Sequence, residues 1–176
     1  VQFDLKPTAK VAVIGIGGLG HMALKFLNAW GCEVTAFTST EAKRTEALEL
    51  GAHKTLNSRD SAELATAANS FDLILSTVNV KLDWGSYVQT LKPKGRLHFL
   101  GAILEPVEVS VFALMGAQRS ISSSPVGSPA VIGQMLEFAA RHNIEPEVEV
   151  FDFADVNAAV ERLEKGSPRY RVVLKN

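Results

Sequence analysis

The sequence predicts an α/β protein of three layers, in which a doubly wound parallel sheet of six strands lies between two layers of helices. Short apolar runs alternate with helical patterns almost throughout the 176-residue chain, as in successive βα units. A glycine-rich turn directly follows the first apolar run, and this placement is typical of the Rossmann fold. The expected strand order is therefore 3-2-1-4-5-6.

The first strand, turn and helix carry the clearest signal. The apolar run Val11–Ile14 has the length of a buried strand, and glycines follow at 15, 17 and 20 in the spacing G-x-G-x-x-G. We expect Gly15 to make the tight turn, Gly17 to let a pyrophosphate approach the backbone, and Gly20 to let helix and strand pack closely. The helix expected from about Gly18 to Trp30 would direct free N–H groups at the phosphates.

The remaining elements follow from apolar runs, helical periodicity and turn residues. The expected strands or extended segments are Glu33–Phe37, Lys54–Leu56, Asp72–Ser76, Arg96–Leu100, Pro106–Val111, Arg119–Ser122, Val148–Val150 and Arg171–Leu174. The expected helices are Glu41–Leu50, Ser61–Asn69, Trp84–Leu91, Phe112–Gly116, Pro129–His142 and Asp155–Lys165. We expect Thr38 and Glu41 to form a capping box at the start of the second helix, and Asp155 to cap the last one.

Composition excludes several classes of function. The formal net charge is −1, so we expect no nucleic acid and no anionic membrane surface as a partner. No apolar run approaches the roughly 20 residues of a membrane-spanning helix, and no signal peptide is visible. The single cysteine, Cys32, rules out an internal disulfide and favours a cytoplasmic location, and the missing initial Met is compatible with a piece of a longer chain.

The end of the second strand predicts the cofactor. NAD-binding folds carry an acidic residue there for the ribose 2′-OH, whereas this chain has Thr38, Ser39 and Thr40, with Lys43 and Arg44 in the next helical turn. A carboxylate would repel a 2′-phosphate, while hydroxyls and a cation would bind it. The sequence therefore favours NADP(H). An alternative interpretation is that Thr38 only caps the helix and that Lys43 and Arg44 are solvated. This alternative does not explain why the end of the second strand lacks an acidic residue.

Three loops after later strands are expected to lie along the cofactor, because the carboxyl ends of parallel strands share one edge of the sheet. The residues concerned are Thr77 and Val78 after the fourth strand, Leu100, Gly101 and Ala102 after the fifth, and Ser122 to Ser124 after the sixth.

Several stretches resemble the zinc-type medium-chain alcohol dehydrogenases, in particular their cinnamyl-alcohol-dehydrogenase-like branch. They are Val13–Met22, Thr38–Thr40, Leu50–Ala52, Leu91–Gly95 and Arg169–Val173. The resemblance covers nearly the whole chain. It implies an NADP(H)-dependent enzyme that interconverts small alcohols and aldehydes, and a homodimer formed at the edge strand near Arg119–Ser122.

The resemblance also implies contacts at matching positions. The pyrophosphate would meet Gly17, Gly18 and Leu19, with Arg171 nearby. The 2′-phosphate would meet Thr38, Ser39, Thr40 and Lys43. The path from adenosine to nicotinamide would follow Thr77, Val78, Leu100, Gly101 and Ala102, with Ser122 and Ser124 on the nicotinamide side. The family usually has a glycine-serine pair where this chain has Ser123 and Ser124.

Zinc ligands are the main departure from the family, whose catalytic zinc is held by an N-terminal domain and whose structural zinc needs four cysteines. One cysteine and four histidines cannot form the structural site, so we expect no metal and no catalytic residue in this chain. Residues 1–151 would form the cofactor domain, and residues 152–176 would return toward an absent catalytic domain. We expect His21 to pack beside the glycine turn or touch a phosphate, and the other three histidines to lie at the surface or at strand ends.

Two other classes of function use similar turns. An S-adenosylmethionine-dependent methyltransferase also has a glycine turn after its first strand, but it needs an acidic residue at the position of Thr38. A nucleotide sensor without chemistry would need no catalytic residue at all. Both remain alternatives at this stage.

Overall fold

The computed structural model describes residues 3–166 and 168–176. The strands of the main sheet are β1 (Lys10–Ile14), β2 (Glu33–Thr38), β3 (Lys54–Asn57), β4 (Phe71–Ser76), β5 (Leu91–Phe99) and β6 (Ser120–Ser123). The helices are α1 (Gly20–Trp30), α2 (Glu41–Glu49), α3 (Ser61–Thr66), α4 (Trp84–Thr90), α5 (Val111–Met115), α6 (Pro129–Arg141) and α7 (Val156–Glu164). The six strands are parallel in the order β3-β2-β1-β4-β5-β6, which confirms the predicted Rossmann fold.

Two apolar cores lie on the two faces of the sheet. Val11 and Val13 of β1 are fully buried in one core, while Ala12 and Ile14 belong to the other, which also holds Trp84. Alternate residues of a strand point to opposite faces. Because both faces are covered, β1 is apolar at every position from 11 to 14, as expected of a central parallel strand.

The glycine turn has the tight geometry that the sequence predicts. Gly15 has a φ of +85°, which favours glycine. A Cβ atom at Gly20 would collide with the carbonyl oxygen of Gly15, so α1 starts directly over the end of β1. The hydroxyl of Thr77 lies 3.0 Å from the carbonyl oxygen of Ile14 and 2.9 Å from that of Gly15, which ties the turn to β4.

The predicted capping box is wrong by two residues. Thr40, not Thr38, is the N-cap of α2, and its side chain accepts a hydrogen bond from the Lys43 backbone N–H at 3.4 Å. The Glu41 side chain is 87% exposed and pairs with Arg44 at 3.5 Å rather than reaching back. The reason is that β2 continues through Thr38, one residue beyond its predicted end.

Other boundaries differ where tertiary pairing overrides the local pattern. β5 begins at Leu91 rather than Arg96, because Leu91 pairs with Phe71 across a register shift in β4. α3 ends at Thr66, before the predicted end. Asp155 precedes α7 as predicted but makes no side-chain capping bond, since a 3-10 turn comes directly before the helix.

A second, two-stranded parallel sheet consists of β7 (Val148–Asp152) and β8 (Arg171–Lys175). The proposed division between residues 151 and 152 falls within β7 and stays a prediction. β6 forms the edge of the main sheet and pairs with β5 alone. The homodimer expected at this edge also stays a prediction.

His21 joins the glycine turn to the second sheet. Its ring is fully buried and stacks on Tyr170 with 4.6 Å between ring centroids. Nδ1 lies 3.1 Å from the carbonyl oxygen of Gly17, and Nε2 accepts a hydrogen bond from the Glu147 backbone N–H at 3.3 Å. Of the two expected roles, the structure therefore shows packing. The neutral ring fits these bonds, because one nitrogen must donate and the other accept.

We predict that replacing Gly20 by alanine destabilises the fold by roughly 3 kcal/mol, because the added methyl group meets backbone rather than a flexible side chain. Gly133→Ala is the matched control, since Gly133 lies within α6 and its added Cβ meets nothing within 4 Å. That variant should stabilise the protein by about 0.5–1 kcal/mol. Urea unfolding of both variants measures the difference, and similar values for the two would contradict the prediction.

We predict that His21 makes the fold sensitive to mild acid. Burial, together with the charges of Lys25 and Arg171, lowers the pKa of His21 below its ordinary value of 6.5. The unfolded chain therefore binds the proton first, and the free energy of unfolding falls as the pH drops below about 6.5, by up to about 1.4 kcal/mol per pH unit. Unfolding of His21→Gln between pH 7 and 5 should show a shallower loss than wild type.

His142→Gln is the matched control for this experiment, because His142 is exposed at the end of α6. This variant should lose stability with falling pH as steeply as wild type. The prediction fails if His21→Gln and wild type lose the same free energy over this pH range.

Candidate functional site

A cavity of about 250 Å³ opens at the carboxyl ends of β1 and β2, where open α/β sheets bind ligands. The glycine turn and the loops after β2, β3 and β4 contribute to it. Its lining residues are Ile14, Gly15, Ile16, Phe37, Thr38, Ser39, Lys43, Ser58, Arg59, Val78, Val80 and Leu82. This lining has three hydroxyl groups, two cations and no carboxylate. It is therefore suited to an anionic ligand.

Thr38 holds an unsatisfied polar atom at this cavity. The residue is 4% exposed, and its hydroxyl oxygen has no hydrogen-bond partner within the described part of the chain. A buried hydroxyl without a partner costs about 1–3 kcal/mol. Thr38 is one of the residues that line the cavity, and its hydroxyl oxygen is itself buried.

The two predicted cations of α2 have different roles. Arg44 binds the Glu63 carboxylate through one guanidinium nitrogen, 2.8 and 3.0 Å from its two oxygens. Hydrogen bonds from the Asn57 backbone N–H and from Arg44 lower the pKa of Glu63, so the ion pair is fully charged at neutral pH. Lys43 lines the cavity and makes no ion pair within residues 3–166 and 168–176. Lys43 is therefore the cation of α2 that remains for a ligand.

The turn before α1 has the geometry of a phosphate site. A Cβ atom added at Gly17 meets nothing within 4 Å, so the backbone is open to a ligand there. Leu19 precedes α1 and makes no side-chain capping bond. The His21 backbone N–H donates to the carbonyl oxygen of Gly17 at 3.0 Å, so an anion would meet the other N–H groups of the first turn. The guanidinium carbon of Arg171 lies 2.9 Å from the Cβ position of Gly18. The structure thus brings Gly17, Gly18, Leu19 and Arg171 together, as the resemblance implies.

The loops after β4 and β5 meet beside this turn. The backbone N–H groups of Leu100 and Gly101 both donate to the carbonyl oxygen of Ser76, at 2.8 and 3.1 Å. A Cβ atom at Gly101 would collide with the carbonyl oxygen of Val78, so the two loops touch through their backbones. Thr77, Val78, Leu100 and Gly101 therefore lie together at the carboxyl ends of β4 and β5, and Ala102 follows Gly101 in the chain. Their contacts with a cofactor stay predictions.

Ser122 and Ser124 are engaged by a buried histidine. His98 is 2% exposed, and the hydroxyl oxygens of Ser122 and Ser124 lie 2.9 and 3.0 Å from Nδ1 and Nε2 of its ring. Of the two positions expected for His98, the surface is wrong, because the ring is buried and packs against Phe3 with 4.7 Å between ring centroids. The strand end is confirmed, since His98 is the last residue but one of β5. Burial lowers the pKa of His98. The expected contact of the two serines with nicotinamide stays a prediction.

Seven lining residues were not predicted as site residues from the sequence: Ile14, Ile16, Phe37, Ser58, Arg59, Val80 and Leu82. Ser58 and Arg59 follow β3, which lies beside β2 and ends at the same edge of the sheet. The predicted strand order, which places β3 beside β2, is the one sequence signal that could have identified this loop. Thr40, by contrast, was predicted to hold a phosphate but caps α2 and is not among the lining residues.

Residues 3–166 and 168–176 contain no group of three or more His, Cys, Asp and Glu side chains that could hold a metal ion. These described residues therefore offer no site for the zinc of the resembling family, and the expectation of no metal in this chain stays a prediction. In the same described part, none of the helices combines the length and the apolar character needed to cross a membrane.

Comparison with known proteins assigns the sequence to a family. The zinc-binding dehydrogenase family matches residues 18–141. Aldehyde reductase AdhA from Synechocystis sp. is 58% identical over 176 residues, which are 100% of this chain and 52% of that protein. The chain thus spans about half the length of the curated relatives it matches.

Solved structures agree with this assignment. A cinnamyl alcohol dehydrogenase from Sorghum bicolor superposes with a TM-score of 0.90 at 39% identity, over 96% of this chain and 48% of that one. Acetophenone reductase from Geotrichum candidum, solved with NAD, gives 0.81 at 26% identity, over 99% and 50% of the two chains. A cinnamyl alcohol dehydrogenase from Helicobacter pylori, solved with NADP(H), gives 0.77 at 28% identity, over 96% and 48%.

Proposed function

The chain belongs to the zinc-binding dehydrogenase family, and we propose that it is the NADP(H)-binding domain of an enzyme that transfers a hydride between nicotinamide and an alcohol or aldehyde. The observation that carries the choice of cofactor is the cavity after β2, with its hydroxyls, its cations and no carboxylate. The names of the relatives, an aldehyde reductase and cinnamyl alcohol dehydrogenases, support the substrate class.

The choice between the two nicotinamide cofactors depends on the 2′ position of the adenosine ribose. NAD(H) has a hydroxyl there, which an acidic residue ordinarily binds, and the cavity lining has no acidic residue. NADP(H) has a phosphate, which fits the unpartnered Thr38 hydroxyl, Ser39 and the ammonium group of Lys43. Since the solved relatives include one complex with each cofactor, family membership alone does not decide this point.

The rest of the cofactor would extend along the carboxyl ends of the strands. The pyrophosphate would lie at the start of α1, between the open backbone of Gly17 and the guanidinium group of Arg171. The nicotinamide would lie beyond the contact between Val78 and Gly101 and supplies the hydride when bound. In this arrangement the chain binds and orients the cofactor, and the zinc expected in the family would belong to residues outside this chain.

We predict that the chain binds NADPH at least tenfold more tightly than NADH, and that Thr38→Val lowers the affinity for NADPH by roughly tenfold, because a hydrogen bond to a charged phosphate is lost. The affinity for NADH should stay within about twofold. The variant itself should unfold at a higher denaturant concentration, since valine has the shape of threonine without the unpartnered buried hydroxyl. Fluorescence titration and urea unfolding measure the two effects.

Thr66→Val is the matched control, because Thr66 is exposed at the end of α3 and its hydroxyl donates to a backbone carbonyl there. It should leave the affinities for both cofactors unchanged. Equal affinity of the wild-type chain for NADPH and NADH would overturn the proposed cofactor.

We predict that the 176-residue chain binds NADPH without catalysing turnover, because its described part has no metal-binding cluster and the chain matches about half of an aldehyde reductase. The measurement is NADPH oxidation by the purified chain with an aromatic aldehyde, with and without added zinc. Sustained reduction of the aldehyde that depends on zinc would contradict this part of the proposal.

A further inference from the structure

We propose that Arg59 is a second cation of the 2′-phosphate site and contributes to the discrimination of NADP(H) from NAD(H). This inference rests on the proposed function and adds a residue from the loop after β3, whereas the other expected ligands come from β2 and α2. Arg59 lines the same cavity as Thr38, Ser39 and Lys43.

The backbone holds Arg59 next to Thr38. β3 runs parallel to β2, with Asn57 in register with Thr38. The backbone N–H of Ser58 donates to the carbonyl oxygen of Thr38 at 2.7 Å, so the loop stays attached to the end of β2 after the strand pairing stops. Arg59 is the next residue, and its side chain therefore starts one residue away from the contact with Thr38.

The loop that presents Arg59 is fixed at both ends. The Arg59 backbone N–H donates to the Asn57 side-chain oxygen at 3.0 Å, and the Asn57 backbone N–H donates to the Glu63 carboxylate at 2.6 Å. On the other side, Asp60 caps α3 and accepts hydrogen bonds from the backbone N–H groups of Ala62 and Glu63. A side chain on a fixed loop loses less conformational entropy when it binds a ligand.

The two neighbouring carboxylates are bound to other partners. Glu63 is committed to Arg44 and to the backbone of Asn57, and Asp60 is committed to the first turn of α3. Within residues 3–166 and 168–176, the Arg59 side chain makes no ion pair. The positive charges of Lys43 and Arg59 are therefore both available where the cavity has no acidic residue.

A guanidinium group suits this position for a reason of geometry. Its planar donors bind two phosphate oxygens at once, whereas the ammonium group of Lys43 acts as a point charge. The 2′-phosphate carries up to two negative charges at neutral pH, and two cations match that charge. NADH, which has a hydroxyl in place of the phosphate, would gain little from Arg59.

The test compares Arg59→Gln with wild type and with Arg141→Gln as the matched control, since Arg141 is exposed in the last turn of α6, outside the cavity lining. Each purified chain is titrated with NADPH and NADH, and with adenosine 2′,5′-bisphosphate and AMP, which differ only in the 2′-phosphate. We expect Arg59→Gln to weaken binding of NADPH and the bisphosphate by roughly 10- to 100-fold and that of NADH and AMP by less than about twofold.

The remaining results separate this inference from the proposed function. Equal binding of NADPH and NADH by the wild-type chain would remove the proposed cofactor and the role of Arg59 with it. A wild-type preference that Arg59→Gln keeps in full would overturn only the role of Arg59. An equal loss for all four ligands would also overturn it, because it would indicate a contact with adenine instead of the phosphate. Arg59→Lys should fall between wild type and Arg59→Gln.

Discussion

The backbone contact between Gly15 and Gly20 determines where the candidate site lies. Because a Cβ atom cannot fit between them, α1 begins directly over the end of β1 and directs its N-terminus at the edge of the sheet. Thr77 fixes the same turn to β4, and His21 fixes the first turn of α1 to the second sheet. Elements far apart in the sequence thus position one short stretch of backbone, and that stretch faces the proposed pyrophosphate.

Glu63 determines which of the cations near the cavity is held in an ion pair. It neutralises Arg44 and also binds the backbone of Asn57, so one carboxylate removes a competing cation and fixes the loop after β3. Three cations, Arg44, Lys43 and Arg59, lie in this region, and Arg44 is not among the lining residues. The observed pairing leaves two of them in the lining, Lys43 and Arg59, and it keeps the acidic residues of this region occupied elsewhere.

The strand order was predictable from the sequence because each apolar run was short, buried and followed by a turn or helix pattern. The cap of α2 was not, because Thr38 and Thr40 are equally good caps by composition, and only the pairing of β2 with β3 shows that Thr38 is still in the strand. The burial of His98 was missed because a histidine between apolar neighbours does not reveal which side chains cover it. Arg59 was missed for a different reason. The sequence motifs of this fold are the glycine turn and the end of β2, whereas Arg59 lies in the loop after the neighbouring strand β3.

In the proposed site, the preference for NADP(H) over NAD(H) arises from polar and charged groups of the protein that lack a partner when no 2′-phosphate is bound. The Thr38 hydroxyl is buried and unpartnered, and the fold carries that cost in the free state. A phosphate would satisfy the hydroxyl and balance the charges of Lys43 and Arg59, whereas a 2′-hydroxyl lacks the charge that two cations require. Two effects therefore set the proposed preference: NAD(H) would leave the Thr38 hydroxyl and the two cations without a partner, and NADP(H) would make favourable contacts with them. An acidic residue at the end of β2 would reverse both effects at once, because it would accept the ribose hydroxyl and repel the phosphate.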